Sequence, residues 1–353
     1  MAYQDELQIK LDMQTGEVVK ELPDFCKKFF AHLKAKGMSP RTRLQYAYDM
    51  KRFFTYFSAQ PCFEHTDMKM STASDILDPL TIEDIQEYFE TLEYYEKVSA
   101  DGSTETKLSS PSAKARRVSS LRSFFKFYFR IGEIKNNLSD LMEVPKIPEK
   151  NIAVMNREHV GRILSAVSSE EGLSEKEKQT HKKLILRDYA VMMLFFGTGI
   201  RVSELVGIDC DDIDFTENSV KVLRKGGDED LVYFGEEVRS ALMDYAENCR
   251  GELLSGKDEE AFFISLHRRR MNVRSVEIMI KGYAQKAGLN INVTPHTLRR
   301  TFGTNLYEET GDIYLVADAL HHASVETTKR HYAKMSTDHK KIAAEKSSTL
   351  FRK

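Results

Sequence analysis

The run VPKIPEKNIAVMN, Val144–Asn156, constrains the fold more than any other stretch. Pro145 and Pro148 push the residues before them out of helical geometry, so the run reads as an extended linker, residues 144–155, and divides the chain. A length of 353 residues with 41% hydrophobic content suits two ordinary domains, each with its own core. The expected division is a helical domain over 20–143 and a second domain over 156–353. No apolar run reaches the roughly eighteen residues of a membrane span, and MAYQDELQIKLDMQTGEVVK at the N-terminus is charged and polar rather than signal-like. A cytoplasmic location and no membrane partner are expected. Cys26, Cys62, Cys210 and Cys249 form no CxxC pair and have no histidine at metal spacing, so they read as reduced and structural rather than as a zinc site or disulfide framework.

In the first half, Ser39-Pro40 follows Gly37 and precedes Tyr46, Met50, Phe53, Phe54 and Phe57. That is one helix ending, then a capped helix with an apolar stripe at helical spacing. Thr81 opens a further helix over TIEDIQEYFETLEYYEK, and SADGSTETKLSSPS reads as a polar loop. Next comes KARRVSSLRSFFKFYFR, which holds Lys114, Arg116, Arg117, Arg122, Lys126 and Arg130 and no acid. Val118, Leu121, Phe125 and Tyr128 make its apolar stripe, while Arg122, Lys126 and Arg130 recur every four residues on another face. Such a charge run is ordinarily a solvated surface; without an acid in the segment it also suits a phosphate-facing one. The formal net charge of −2 argues mildly against nucleic acid, but a neutral total is compatible with one basic face.

In the second half, helices are predicted to begin near Asn156 and Leu184, leading into DYAVMMLFFGTGIRVSELVGI, a largely buried helix broken at Gly197 and Gly199. SVKVLRKGGDEDLVYF alternates Val220 and Val222, turns at Gly-Gly, and resumes with Leu231, Val232 and Tyr233, as a hairpin does. The expected class is mainly α with a small β-sheet.

Five polar positions or groups in this half carry candidate chemistry: Arg201, Lys225, His296 with Arg299, His322, and Tyr332 in a run with Lys329, Arg330, His331 and Lys334. Singly, each has a plain reading. Arg201 with Glu204 suits a helix salt bridge, Lys225 a solvated turn residue, and His296 a capping or core histidine. Together they suit phosphoryl transfer. His296 and Arg299 share a helix face if Pro295 lies in the first turn, and with Arg201 they give two guanidinium forks for the non-bridging oxygens of a phosphodiester. Such a clamp stabilises the charge that grows at phosphorus in the transition state. A tyrosine can attack phosphorus, a lysine can protonate a departing 5′ oxygen, and histidines can hold or move protons near neutral pH.

GTGIRVSELVGI, LRKGG and PHTLRRTFGTNLYEETGDIYLVADALHHASVETTKRHY resemble, in order and spacing, the tyrosine recombinase (phage integrase) family. The resemblance spans the second domain. The SPRTRLQYAYDMKRFFTYF and Lys114–Arg130 helices are similar to the family's core-binding (SAM-like) DNA-binding domain. It implies that Arg201 is the first catalytic arginine, Lys225 the hairpin general acid, His296 and Arg299 the HxxR pair, His322 the second histidine and Tyr332 the nucleophile. Arg41, Lys114, Arg116, Arg117, Arg122 and Lys126 are the expected DNA contacts. It further implies a C-shaped clamp on double-stranded DNA, a homo-tetramer on two sites, and strand exchange through a 3′-phosphotyrosyl intermediate and a Holliday junction without metal or nucleotide cofactor. The chain departs from the family pattern in the acidic GGDED after Lys225, in His321 where glycine is usual, and in Arg300 where histidine is common.

If Ser324 caps a helix through Tyr332, the tyrosine lies roughly 12 Å along its axis and stands on a displaceable element; the tail after it docks on a neighbouring subunit or packs in cis. Only the residues ahead of Ser39 precede the first capped helix, an architecture resembling the simple Xer-type members, with chromosome dimer resolution or mobile-element integration as the expected role. The alternatives are a type IB topoisomerase-like activity, an inactive DNA-binding or architectural protein of the same fold, and, from the net charge, a protein-interaction module.

Overall fold

The computed structural model describes residues 3–98, 103–147, 154–224, 228–257, 259–321 and 324–326. The chain divides into two compact units, Met1–Lys150 and Asn151–Lys353.

The first unit is built on α1 (Tyr3–Lys20), α2 (Cys26–Ala35), α3 (Pro40–Ser58), α4 (Ala73–Leu77), α5 (Ile82–Thr91) and α6 (Pro111–Arg130), with the antiparallel hairpin β1 (Tyr94–Val98) and β2 (Thr104–Leu108) between α5 and α6. α3 starts where the sequence predicts: the Ser39 hydroxyl accepts from the Thr42 amide at 3.3 Å and Pro40 takes the first helical position. Its stripe, Leu44, Ala47, Met50, Phe53, Phe54 and Phe57, is buried against α6, whose Phe124, Phe125 and Tyr128 are fully enclosed. The rings meet edge to face, Phe29 with Phe124 at 5.1 Å and Phe53 with Tyr88 at 5.4 Å. The Tyr128 hydroxyl donates to the Phe25 carbonyl at 2.6 Å.

Three features of this unit differ from the sequence reading. α1 is a full helix that packs on α3, burying Thr15 and Val18, with Leu22 buried just beyond it and Asp12 accepting from Arg43 at 2.7 Å; a threonine in its apolar stripe hides the period. The helix opened by Thr81 stops at Thr91. The expected loop is the β1–β2 hairpin, in register Tyr94 opposite Leu108. Tyr94, Tyr95, Val98, Thr104 and Thr106 are strong strand formers, and main-chain pairing outweighs the polarity that suggests a loop.

The second unit comprises α7 (Arg157–Ser168), α8 (Glu175–Thr198), α9 (Val202–Leu205), the antiparallel sheet β3 (Ile213–Asp214), β4 (Ser219–Leu223) and β5 (Glu229–Tyr233), then α10 (Glu236–Tyr245), α11 (Gly251–Leu254), α12 (Val273–Lys286), α13 (Pro295–Thr310) and α14 (Ile313–Ala319). The expected mainly α class with a small sheet is what forms. α8 is the axis of the unit, burying Ala190, Val191, Met192, Leu194 and Phe195 against α10 and α13. It begins at a capping box between Ser174 and Glu177, about two and a half turns before the predicted start near Leu184, because a charged first half hides its continuity.

Gly197 does not break α8. It gives room to α10: a Cβ there would stand 2.5 Å from Val238 Cγ2. Gly199 ends the helix, in left-handed geometry at φ 62°. Within α8 the buried Arg187 pairs with Asp188 at 2.6 Å, and Asp188 accepts from the Tyr283 hydroxyl of α12 at 2.7 Å, so the buried charges are compensated. Cys26 and Cys249 are buried, Cys62 and Cys210 exposed, and all four are free thiols.

Candidate active site

The turn that follows Gly199 sets Arg201 at the N-cap of α9. Glu204, one turn on, accepts from the Arg201 amide at 2.8 Å through Oε2 and from its Nη1 at 2.7 Å through Oε1. The plain helix salt bridge therefore exists, and the same guanidinium reaches further: Nη2 donates to the His321 carbonyl at 3.2 Å.

α13 supplies the second arginine. Thr294 caps it, its hydroxyl accepting from the Thr297 amide at 3.2 Å, and Pro295 takes the first position. His296 is therefore neither the cap nor a core residue. It is exposed, while Arg299 one turn later is buried. Arg299 Nη1 donates to the Gly199 carbonyl at 2.7 Å and its Nη2 to the Leu320 carbonyl. Arg201 and Arg299, far apart in sequence, thus converge on the main chain of Leu320–His321.

The β4–β5 hairpin brings in a third arginine that the sequence reading passed over. Arg224 closes the strands with its amide on the Asp228 carbonyl at 2.8 Å. Its side chain, 5% exposed, donates to Glu204 Oε2 at 2.8 Å and pairs with Asp230 at 2.9 Å. Asp230 in turn meets His321 Nδ1 at 3.2 Å. The signal was present: Val220, Val222 and Arg224 alternate on one strand face, and the two valines are buried.

Burial by itself pushes the Glu204 carboxyl up, but the Arg201 amide and guanidinium and the Arg224 charge outweigh it and hold its pKa below the ordinary carboxylate value. His321 sits at φ 46°, a left-handed backbone that favours glycine, the residue usual there in the family. An open cavity of about 820 Å³ lies beside this network, lined by Arg224, Asp230, His321, Tyr233, Phe302 and Leu315 among others. Lys225, His322 and Tyr332 lie outside the described residues. Lys225 directly follows Arg224, and His322 directly follows His321. Ser324, the expected cap, accepts from the Glu326 amide at 3.2 Å; the helix expected beyond it lies outside the described residues.

In the first unit the six expected DNA contacts separate by environment. Lys114 pairs with Glu93 at 2.6 Å and Arg116 with the buried Asp49. Arg117 donates to Ser109 Oγ at 3.2 Å and Arg122 to the Met142 carbonyl at 3.2 Å. For Lys114 and Arg116, acids outside the segment supply the partners that it lacks. Arg41 and Lys126 are exposed.

The phage integrase family profile matches residues 154–339, more than half of the chain. Tyrosine recombinase XerC of Myxococcus xanthus is 32% identical over 315 residues, covering 88% of this chain and 93% of its own. XerD of Listeria innocua serovar 6a is 28% identical over 295 residues, covering 83% and 88%. This chain belongs to the phage integrase family, and with it to the tyrosine recombinases, enzymes of site-specific DNA cleavage and rejoining. Among solved structures, XerH bound to a palindromic difH substrate superposes with a TM-score of 0.58 at 18% identity, over 91% of this chain and 82% of that one. A lambda integrase dimer on a COC′ core site gives 0.59 at 16%, over 87% and 93%. These two likenesses concern the fold.

Proposed function

We propose that the chain recombines double-stranded DNA at a specific site through a 3′-phosphotyrosyl intermediate. Tyr332 is the nucleophile: its phenol oxygen bonds to the scissile phosphorus as the bond to the 5′ oxygen breaks. The phenol proton passes to a histidine, His296 or His322, and Lys225 gives a proton to the departing 5′ oxygen. Arg201 and Arg299 bind the non-bridging oxygens, whose charge grows in the transition state. The reverse attack by a 5′ hydroxyl rejoins DNA, and because the phosphotyrosyl ester conserves the bond energy, no external energy source enters.

The observation that carries this reading is the convergence of Arg201 and Arg299 on Leu320–His321, immediately before His322 and in the segment that leads to Tyr332. Guanidiniums already fixed on main-chain carbonyls need little reorganisation when charge develops. The first unit is the DNA-gripping domain, with exposed Arg41 and Lys126 as phosphate contacts, and a homo-tetramer pairs two sites. The XerC and XerD names of the relatives favour a Xer-like role, in chromosome dimer resolution or in movement of an element.

The test is a covalent trap on nicked duplexes drawn from the gene's own replicon or element ends. Wild type is expected to give protein-linked DNA on a denaturing gel, Tyr332→Phe none, and Arg299→Ala orders of magnitude less at similar DNA affinity. Adduct formation that survives Tyr332→Phe, or cleavage unchanged in Arg299→Ala, overturns the assignment.

A further inference from the structure

We propose that Arg224 is a positioning residue for the arginine clamp, acting on Arg201 through Glu204. The inference rests on the reading of Arg201 as a ligand of the scissile phosphate.

Glu204 is 3% exposed and its two oxygens carry three bonds: Oε1 takes Arg201 Nη1, and Oε2 is shared by the Arg201 amide at 2.8 Å and Arg224 Nη1 at 2.8 Å. Arg224 therefore fixes the rotamer that places Oε1 under the Arg201 guanidinium. It also changes the charge balance. A lone pair of the half-exposed Arg201 and the buried Glu204 is neutral, with the carboxylate drawing on that arginine alone. With Arg224 on the same carboxylate, part of that negative charge is answered from the far side, and Arg201 keeps more of its field for a phosphate.

Arg224 is itself over-determined, which a positioning group requires. Besides Glu204 it meets Asp230 through Nε at 3.0 Å and Nη2 at 2.9 Å. Asp230 meets the His321 imidazole at 3.2 Å, and the His321 carbonyl accepts from Arg201 Nη2 at 3.2 Å. The contacts close into a ring: Arg201, Glu204, Arg224, Asp230, His321 and back to Arg201. The ring ties the start of α9, the β4–β5 hairpin and the end of α14 to one another, so a change at Arg224 is felt at Arg201 by two routes. Arg224 bonds both Glu204 and Asp230 of the hairpin.

The test compares full-length wild type, Arg224→Met and Arg201→Ala in single-turnover cleavage of a nicked duplex on which wild type forms its adduct. Each is assayed with the normal scissile phosphate and with a methylphosphonate, whose uncharged methyl replaces one charged non-bridging oxygen and removes the charge the clamp must balance. Arg224→Met is expected to cleave the phosphodiester roughly ten- to a hundredfold more slowly than wild type, with unchanged DNA affinity, and to come within a few-fold of wild type on the methylphosphonate, the same pattern expected of Arg201→Ala. A loss of equal size on both substrates identifies a merely structural role and overturns the proposal; so does a rate unchanged on the phosphodiester.

Because Arg224→Met leaves Glu204 buried with one partner fewer, Arg224→Met/Glu204→Gln is measured beside it. That pair removes the buried charges together and is expected to fold as stably as wild type while keeping the phosphodiester-specific defect. A wild type that forms no Tyr332-dependent adduct overturns the parent reading instead, which separates the two failures.

Discussion

Gly199→Ala tests both the end of α8 and the anchoring of the clamp. Gly199 caps α8 at φ 62°, its amide on the Phe195 carbonyl at 2.9 Å, and its own carbonyl accepts from Arg299 at 2.7 Å. An added Cβ would stand 2.5 Å from Phe302 Cδ1 and 3.0 Å from Leu320 Cδ2. A side chain held in left-handed geometry costs about 1–2 kcal/mol, and a methyl forced into a packed site a further 1–3 kcal/mol or so. The sum is roughly 2–5 kcal/mol. At about 2–4 °C per kcal/mol for a unit of this size, the melting transition followed by far-UV circular dichroism falls by several degrees at least. Phe302→Leu removes the nearer obstacle, so the double variant loses less than the sum of the singles, although the backbone strain persists. Cleavage falls in Gly199→Ala more than DNA affinity does, because the displaced carbonyl is the one that holds Arg299. A stability change below about 0.5 kcal/mol, or strict additivity with Phe302→Leu, refutes the reasoning.

Lys126→Ala, an exposed cation, is expected to reduce the salt dependence of DNA binding by about one unit of slope at unchanged stability. Arg116→Ala instead removes the arginine paired with the buried Asp49 and destabilises the first unit by roughly 3 kcal/mol; urea titrations and salt-dependent binding of both variants separate the two effects. Glu204 has its pKa lowered from 4.5 by its arginine partners, against the effect of burial. Its stabilisation is therefore full above pH 4.5 and lost as pH falls through the lower folded-state value, so the melting-temperature gap between wild type and Glu204→Gln should narrow only below that range. His321→Gly relieves a positive φ, worth about 1–2 kcal/mol, and this is opposed by the lost half-exposed contact to Asp230, about 0–1 kcal/mol, and by the greater freedom of glycine in the unfolded chain, about 0.4–1 kcal/mol. Its melting temperature should stay close to wild type, and a fall of many degrees counts against the assigned backbone strain.

Local rules made much of this fold legible. Ser39-Pro40, Thr81 and Asn156 each announce a helix by a side chain that accepts the orphan amides of the first turn, and the alternation around Val220, Val222 and Val232 announces β4 and β5. Where side chains gave no period, the elements were hidden. α1 carries a threonine in its buried stripe, α8 is charged until it meets the core, and β1–β2 is joined by main-chain pairing, with Tyr94 and Leu108 at its open end exposed. In the site, the HxxR spacing was legible because a helix turn brings His296 and Arg299 to neighbouring positions. The partners of Arg201 and Arg299 were not, since they include the carbonyls of Gly199, Leu320 and His321, and a carbonyl has no side-chain signature. Arg224 was readable in principle: it continues the buried face of β4, and period two alone places a charged group inside the unit, where it must find a counter-charge.

That the three buried or half-buried cations at 201, 224 and 299 are arginines follows from donor geometry. Each bonds acceptors that lie in different directions: Arg201 meets Glu204 and a carbonyl, Arg224 meets two carboxylates, and Arg299 meets two carbonyls. A planar fork with five N–H groups spans such pairs, whereas an ammonium concentrates its donors at one point. Lysine at any of the three positions therefore keeps the charge and loses one bond. At Arg299 the lost bond releases either the end of α8 or the root of the segment leading to Tyr332. Arg201 and Arg299 share one set of main-chain hydrogen bonds at Leu320–His321, so under the proposed function the two phosphate ligands are held in a common frame before DNA arrives. An Arg299→Lys variant that binds DNA normally and cleaves as poorly as Arg299→Ala is the expected consequence of that shared frame.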